Sequence, residues 1–102
     1  MAAKLTTVYW RDIPAQVMAK KGRESAKLML SARFQEAIDR AAMRAGKGGS
    51  DAYMSEWRRE SRECSDELQA EVDAAAERIE NAWSDDDLAA ITRNRGVAGE
   101  DG

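Results

Sequence analysis

The chain has 102 residues, with 16 Lys and Arg against 19 Asp and Glu, for a net charge of −3. That length fits one domain and leaves no room for a second catalytic one. The hydrophobic fraction is 43%, but 19 of those residues are Ala, and Leu, Ile, Val and Phe together number only 14. A thin core is expected, in a chain whose low net charge argues against disorder. With no His and a single Cys, the chain by itself has no His-based catalysis, no disulfide framework and no structural zinc site.

The start, Met1-Ala2-Ala3-Lys4-Leu5, has no apolar signal core. No apolar run approaches the ~20 residues that a membrane helix needs. A lone Cys64 suits a reducing compartment. The expectation is a cytoplasmic protein with no membrane contact.

Charge is divided along the chain. Residues 1–47 hold ten Lys and Arg and four acids, whereas 48–102 hold six and fifteen. The near-neutral total therefore hides a basic first half and an acidic second half. Such asymmetry speaks to partners more than to fold.

Leu5 to Arg11 is rich in Thr, Val, Tyr and Trp and reads as a strand, with Thr6, Val8 and Trp10 on one face. Pro14 should break it or sit at an edge. Ala15, Val17 and Ala19 then alternate with Gln16, Met18 and Lys20. Lys21-Gly22-Arg23 reads as a turn, and Ala26, Leu28 and Leu30 alternate after it. Together these predict a hairpin or a three-strand meander.

Ser31 can cap a helix with Phe34, Ala37, Ile38, Ala41 and Ala45 on one side, ended by Gly46. A short helix from Ser50 would place Tyr53 and Trp57 four apart on one face. Ser61 to Ser65 reads as a connection or a continuation of that helix. Leu68, Val72, Ala75, Ile79 and Trp83 mark a long helix over 66–83. Ser84-Asp85-Asp86-Asp87 is a capping box opening a last short helix. Residues 1–96 are expected to form one domain and 97–102 a frayed tail. The fold class is therefore α+β: a small N-terminal antiparallel sheet followed by three or four helices. The first helix is expected to lay its apolar face on the sheet.

Few residues point to chemistry. Asp85, Asp86 and Asp87 point about 100° apart on a helix, so they cap better than they bind a cation. Cys64 lacks a base, and its acidic neighbours Glu63, Asp66 and Glu67 raise a thiol pKa. Acid pairs such as Glu36/Asp39 read as solvated helix surface. Gly46-Lys47-Gly48-Gly49-Ser50 has the composition of an anion loop, but not the spacing of a phosphate-binding motif. No catalytic residue, cofactor or metal ligand is assigned.

Trp, Tyr and Arg are favoured at interfaces. The candidate docking residues are Trp10, Arg11, Lys20, Lys21, Arg23, Lys27, Trp57, Arg58 and Arg59. Lys20, Lys21, Arg23 and Lys27 beside Tyr9 and Trp10 also raise nucleic-acid binding; the acidic total argues against it.

The strings Tyr9-Trp10-Arg11-Asp12-Ile13-Pro14-Ala15-Gln16-Val17, Arg33 to Met43, Asp51-Ala52-Tyr53 and Glu56-Trp57-Arg58-Arg59 resemble the small bacterial domain family called simply "virulence factor". The resemblance covers about residues 6–83. It implies a bacterial origin and a protein partner, since larger relatives join this kind of domain to HEAT-like repeats. It also implies, for some members, a neighbourhood of folate-linked one-carbon metabolism. It supplies no catalytic residues. The leading expectation is a non-catalytic module that docks a protein through a basic N-terminal sheet and Trp/Arg patches. The alternatives are an accessory subunit or small enzyme of one-carbon or methyl-transfer metabolism, and nucleic-acid binding through the basic hairpin. Oligomeric state is not legible.

Overall fold

The computed structural model describes residues 3–46 and 49–97. Strands β1 (Ala3–Trp10), β2 (Ile13–Lys21) and β3 (Glu24–Met29) form the expected meander. Helices α1 (Ala32–Arg44) and α2 (Ser50–Ser55) lead to a fourth strand, β4 (Trp57–Cys64), and then to α3 (Leu68–Ala82) and α4 (Asp85–Arg93). The sheet is antiparallel with strand order β3-β2-β1-β4. The fold is α+β.

Two tight turns set the meander. Gly22 takes a positive φ of 58° between β2 and β3, where a residue without Cβ costs least. Arg11 takes φ 55° between β1 and β2, which a non-Gly side chain adopts only when its surroundings hold it there. The β1–β2 register skips Ala15, passing from Val8 opposite Gln16 to Tyr9 opposite Pro14. This bulge admits Pro14, which cannot donate to the ladder. The Ala15 carbonyl instead accepts the Leu30 amide at 3.1 Å.

The sheet has two unlike faces. On one, Ala3, Leu5, Val17 and Ala19 are buried, and α3 lies across it, against β2 and β3. On the other, Lys4, Thr6 and Val8 of β1 stand beside Lys20, Met18 and Gln16 of β2; no described helix lies along Lys4, Thr6, Met18 and Lys20, whereas Val8 is buried and shares a cleft with Gln35 of α1 and Met54 of α2. The first helix does not take the sheet as expected. It packs chiefly on α4 and reaches the sheet through β2. The longer α3 stripe of Leu68, Val72, Ala75 and Ala76 is the better cover for three strands.

The alternation on β1 is as the sequence dictates, yet Thr6 and Trp10 meet different surroundings. Trp10 is 0% exposed. Its indole Nε1 donates to the Tyr53 carbonyl at 2.9 Å, and its ring stacks on Tyr53 with centroids 5.8 Å apart. At Gly96, φ is +86°, and a Cβ there would lie 2.9 Å from the Trp10 ring. The Asp12 amide bonds the Gly96 carbonyl at 2.8 Å. The end of the sheet is thus closed by α2 and by the turn after α4, while its middle is left open.

Strand β4 corrects the expectation that Trp57 shares a helix with Tyr53 and that 61–65 is a connection. Helix α2 stops at Ser55, and Trp57 meets Tyr53 edge to face at 5.7 Å from the first position of β4. Charged Arg-Arg-Glu-Ser-Arg-Glu has low strand propensity. It is a strand because all eight residues pair with β1, which shows tertiary pairing overriding local preference.

The helices are joined at one ionic clamp. The Ser31 amide and hydroxyl donate to the Glu80 carboxylate at 2.6 and 2.9 Å. Arg33 donates to the Glu80 carbonyl and to both Glu80 and Asp85 carboxylates. Ser31 therefore begins α1 without capping it through its side chain. Ser84 and Asp87 form the expected capping box of α4. Burial alone raises the Glu80 pKa, but the hydrogen bonds from Ser31 and Arg33 outweigh it and hold the carboxyl below its ordinary value.

Gly96→Ala is expected to cost about 1–3 kcal/mol, the range for forcing extra atoms into a packed site, read as a lower denaturant midpoint with an unchanged slope. A carboxyl whose pKa is lowered by folding contributes stability above its unfolded value, about 4.3, and loses it as pH falls through the folded value. Glu80→Gln should therefore lower the thermal midpoint at pH 7 and flatten the loss of stability as pH falls below about 4.3.

Candidate functional site

Three rows of side chains cross the open face, exposed or half-buried except for Val8, which is buried. By register, one row runs Glu63, Lys4, Lys20, Ser25 across β4, β1, β2 and β3. The next runs Ser61, Thr6, Met18, Lys27, and the third Arg59, Val8, Gln16, Met29. Four cations and one carboxylate share this face.

Lys4 and Lys20 are directly opposed. Like charges in that position destabilise a sheet. Among the described residues, no ion pair involves Lys4, Lys20, Lys27 or Arg59. Thr6 and Ser61 share a hydroxyl hydrogen bond of 2.8 Å between the basic side chains. Lys4, Thr6, Lys20, Arg59 and Ser61 line a shallow basic groove with Met18.

The groove continues into a cleft of about 660 Å³ whose apolar lining is Val8, Ala15, Met29, Met54 and Trp57, with Gln16, Gln35 and Arg58 also lining it. Arg59 lines both. Met29 is 58% exposed and Met54 64%. Met43 on α1 is more exposed still, at 75%, but here two exposed methionines share one cleft. Met is also the side chain that adapts most readily to a second surface.

The nine residues singled out from the sequence divide four ways. Lys20, Lys27 and Arg59 come together on the open face with Trp57 at its apolar end. Arg11, Arg58 and Lys21 are held by other groups, although Arg58 borders the apolar cleft and Lys21 the basic groove. Arg11 donates to the Glu56 carboxylate at 3.1 Å and the Arg95 carbonyl at 3.0 Å. Arg58 donates to the Arg11 carbonyl and the Asp12 carboxylate, pairs with Glu60 and lies 4.4 Å over the Tyr9 ring. Lys21 is paired with Asp66 at 2.6 Å. Arg23 is exposed at the turn and borders an acidic stretch, Asp66 and Glu67. Trp10 is corrected: a fully buried ring held by Tyr53 and Gly96 presents no surface and serves the core.

Sequence reasoning missed Lys4, Met18, Met29 and Met54. Alternation places Met18 with Gln16 and Lys20, and the same period after Gly22 places Met29 with Lys27. What it lacked was which side of the sheet the helices would cover.

Burial pushes the Cys64 thiol up, with Glu71 and Asp66 acting in the same direction, so its nucleophilic form is disfavoured. Among the described residues, no three His, Cys, Asp or Glu side chains come together to hold a metal. The loop Gly46-Lys47-Gly48-Gly49 includes Lys47 and Gly48, which lie outside the described residues, as do residues 98–102 of the expected tail. No helix among the described residues is long and apolar enough to cross a membrane.

Fold and face together define a small α+β domain in which part of one side of the sheet, basic and partly apolar, has no described helix over it. The chain belongs to the family described as "Virulence factor", whose model matches residues 8–92. Comparison with curated proteins and with solved structures returns no match. The family description names no reaction and no ligand.

If Lys4 and Lys20 repel each other across the sheet, Lys20→Glu should stabilise the isolated protein at low salt by about 0.2–1 kcal/mol. Urea unfolding of both proteins with and without added salt measures this, and the gain should shrink as salt screens the pair.

Proposed function

We propose that this protein is a non-catalytic module that docks another protein through the open face of its sheet, in the cytoplasm of a bacterium. The observation that carries this reading is the opposed Lys4–Lys20 pair. With Lys27 and Arg59 it forms an unpaired cationic surface next to exposed Met29 and Met54. Stability would favour neutralising or covering that surface. A partner that covers it relieves the repulsion and buries the methionines in one step, and a thin-cored domain gains stability from being bound.

Nucleic acid is the weaker reading. Single strands are held by cations together with exposed aromatic rings on which bases stack. The three open rows carry Met, Val and Gln in those places. Trp57 is half-buried against Tyr53. An accessory role in methyl-transfer metabolism is compatible with docking onto an enzyme, and nothing in the face itself selects it.

Tagged protein retained on resin should capture a partner from native bacterial extract at low salt and release most of it above about 0.5 M salt, where charges are screened within a few ångströms. The double variant Lys20→Glu/Arg59→Glu, folded by circular dichroism, should capture at least tenfold less. Capture that ignores both salt and these substitutions would exclude the open face.

A further inference from the structure

The arrangement of the open face narrows its partner. Resting on the docking reading above, we infer that the face receives one amphipathic α-helix of a partner protein. That helix carries an aliphatic or aromatic anchor and, seven or eight residues along the same side, a pair of carboxylates.

The shape argument comes first. Extended segments add to the edges of a sheet, where backbone groups are unpaired. A sheet face whose strands are already paired is covered by a helix or a second sheet. On its other side this sheet takes one helix, α3, across β2 and β3. Four strands span about 14 Å between their outer axes. A helix about 10 Å across fills that width once.

The spacing follows from the register. The apolar end lies in the row of Arg59, Val8, Gln16 and Met29, and the paired lysines lie four residues away along β1 and β2. Four strand residues cover about 13 Å. A helix covers about 10–12 Å in seven or eight residues, which also returns its side chains close to the same side. The remaining gap is within the reach of Lys and Glu side chains.

The charge argument fixes the sign. Lys4, Lys20, Lys27 and Arg59 lack partners among the described residues, and Glu63 is the one acid in these rows. Carboxylates between Lys4 and Lys20 would turn a repulsive pair into a bridged one. Met29 and Met54 would close over the anchor, as flexible thioethers do in grooves that accept helices.

The experiment places a benzophenone photocrosslinker at position 29 of the full chain, irradiates it in native bacterial extract, and sequences the attached material. A helical protein segment with acidic residues seven or eight positions from the crosslinked site is expected. A synthetic peptide of that segment should bind the full chain, and changing its acids to amides should weaken binding at least tenfold. Lys20→Glu in the domain should weaken the unmodified peptide by a similar factor while barely affecting the amide form. A crosslink to a basic or extended segment would overturn the inference and leave protein docking standing. A crosslink to RNA, or none above an irradiated control with the crosslinker at exposed Met43 on α1, would overturn both.

Discussion

The indole of Trp10 is the point on which the fold depends. It lies at the end of β1, yet its contacts come from α2 and from the turn after α4. One ring therefore ties the beginning of the described chain to its far end. Around it, Arg11 in a left-handed conformation reaches Glu56 and the Arg95 carbonyl, and Arg58 returns to the Arg11 carbonyl. The unusual string Trp-Arg-Asp at the first turn is explained by this closure. Its arginine holds a strained turn in place and is not held out to solvent.

That closure also decides where the open face lies. Thr6, Val8 and Trp10 share one side of β1, so the same side must be core at one end and surface at the other. The bulge at Ala15 and the short helix α2 make the change within a few residues. The α3 stripe covers the opposite side, and α1 is engaged with α4. No described helix remains to cover Lys4, Met18 and Lys20. The uncovered surface is a consequence of how the helices are spent, and its lysines give it a sign.

Much of the fold was legible in the residues. Alternation gave three strands, Gly22 gave a turn, and Ser84 to Asp87 gave a helix start with its capping box, since each of these is a local preference that the tertiary structure keeps. Strand β4 was not legible, because Arg-Arg-Glu-Ser-Arg-Glu carries no strand signal and is ordered by pairing with β1. The face was half legible. Lys20, Lys27 and Arg59 stand in the sequence as cations, but an opposed pair of lysines is a fact of register, set here by the turn at Arg11 and the skip at Ala15, which alternation alone does not give. Trp10 illustrates the opposite error. Trp beside Arg has the composition of an interface, and only the contact with Gly96 shows that it is sealed.

The contact between Trp10 and Gly96 has a consequence for how the molecule is made. A nascent chain emerges with its first hairpin early, yet the pocket for the indole is incomplete until Arg95 and Gly96 have left the ribosome. Until then the sheet has one end unsealed and an apolar ring in water. Contacts that span so much of the sequence are slow to close, and exposed strands invite wrong pairing in the interval. Folding of this domain is therefore completed after synthesis has passed nearly all of it, and a truncation before residue 95 leaves the ring without its seat.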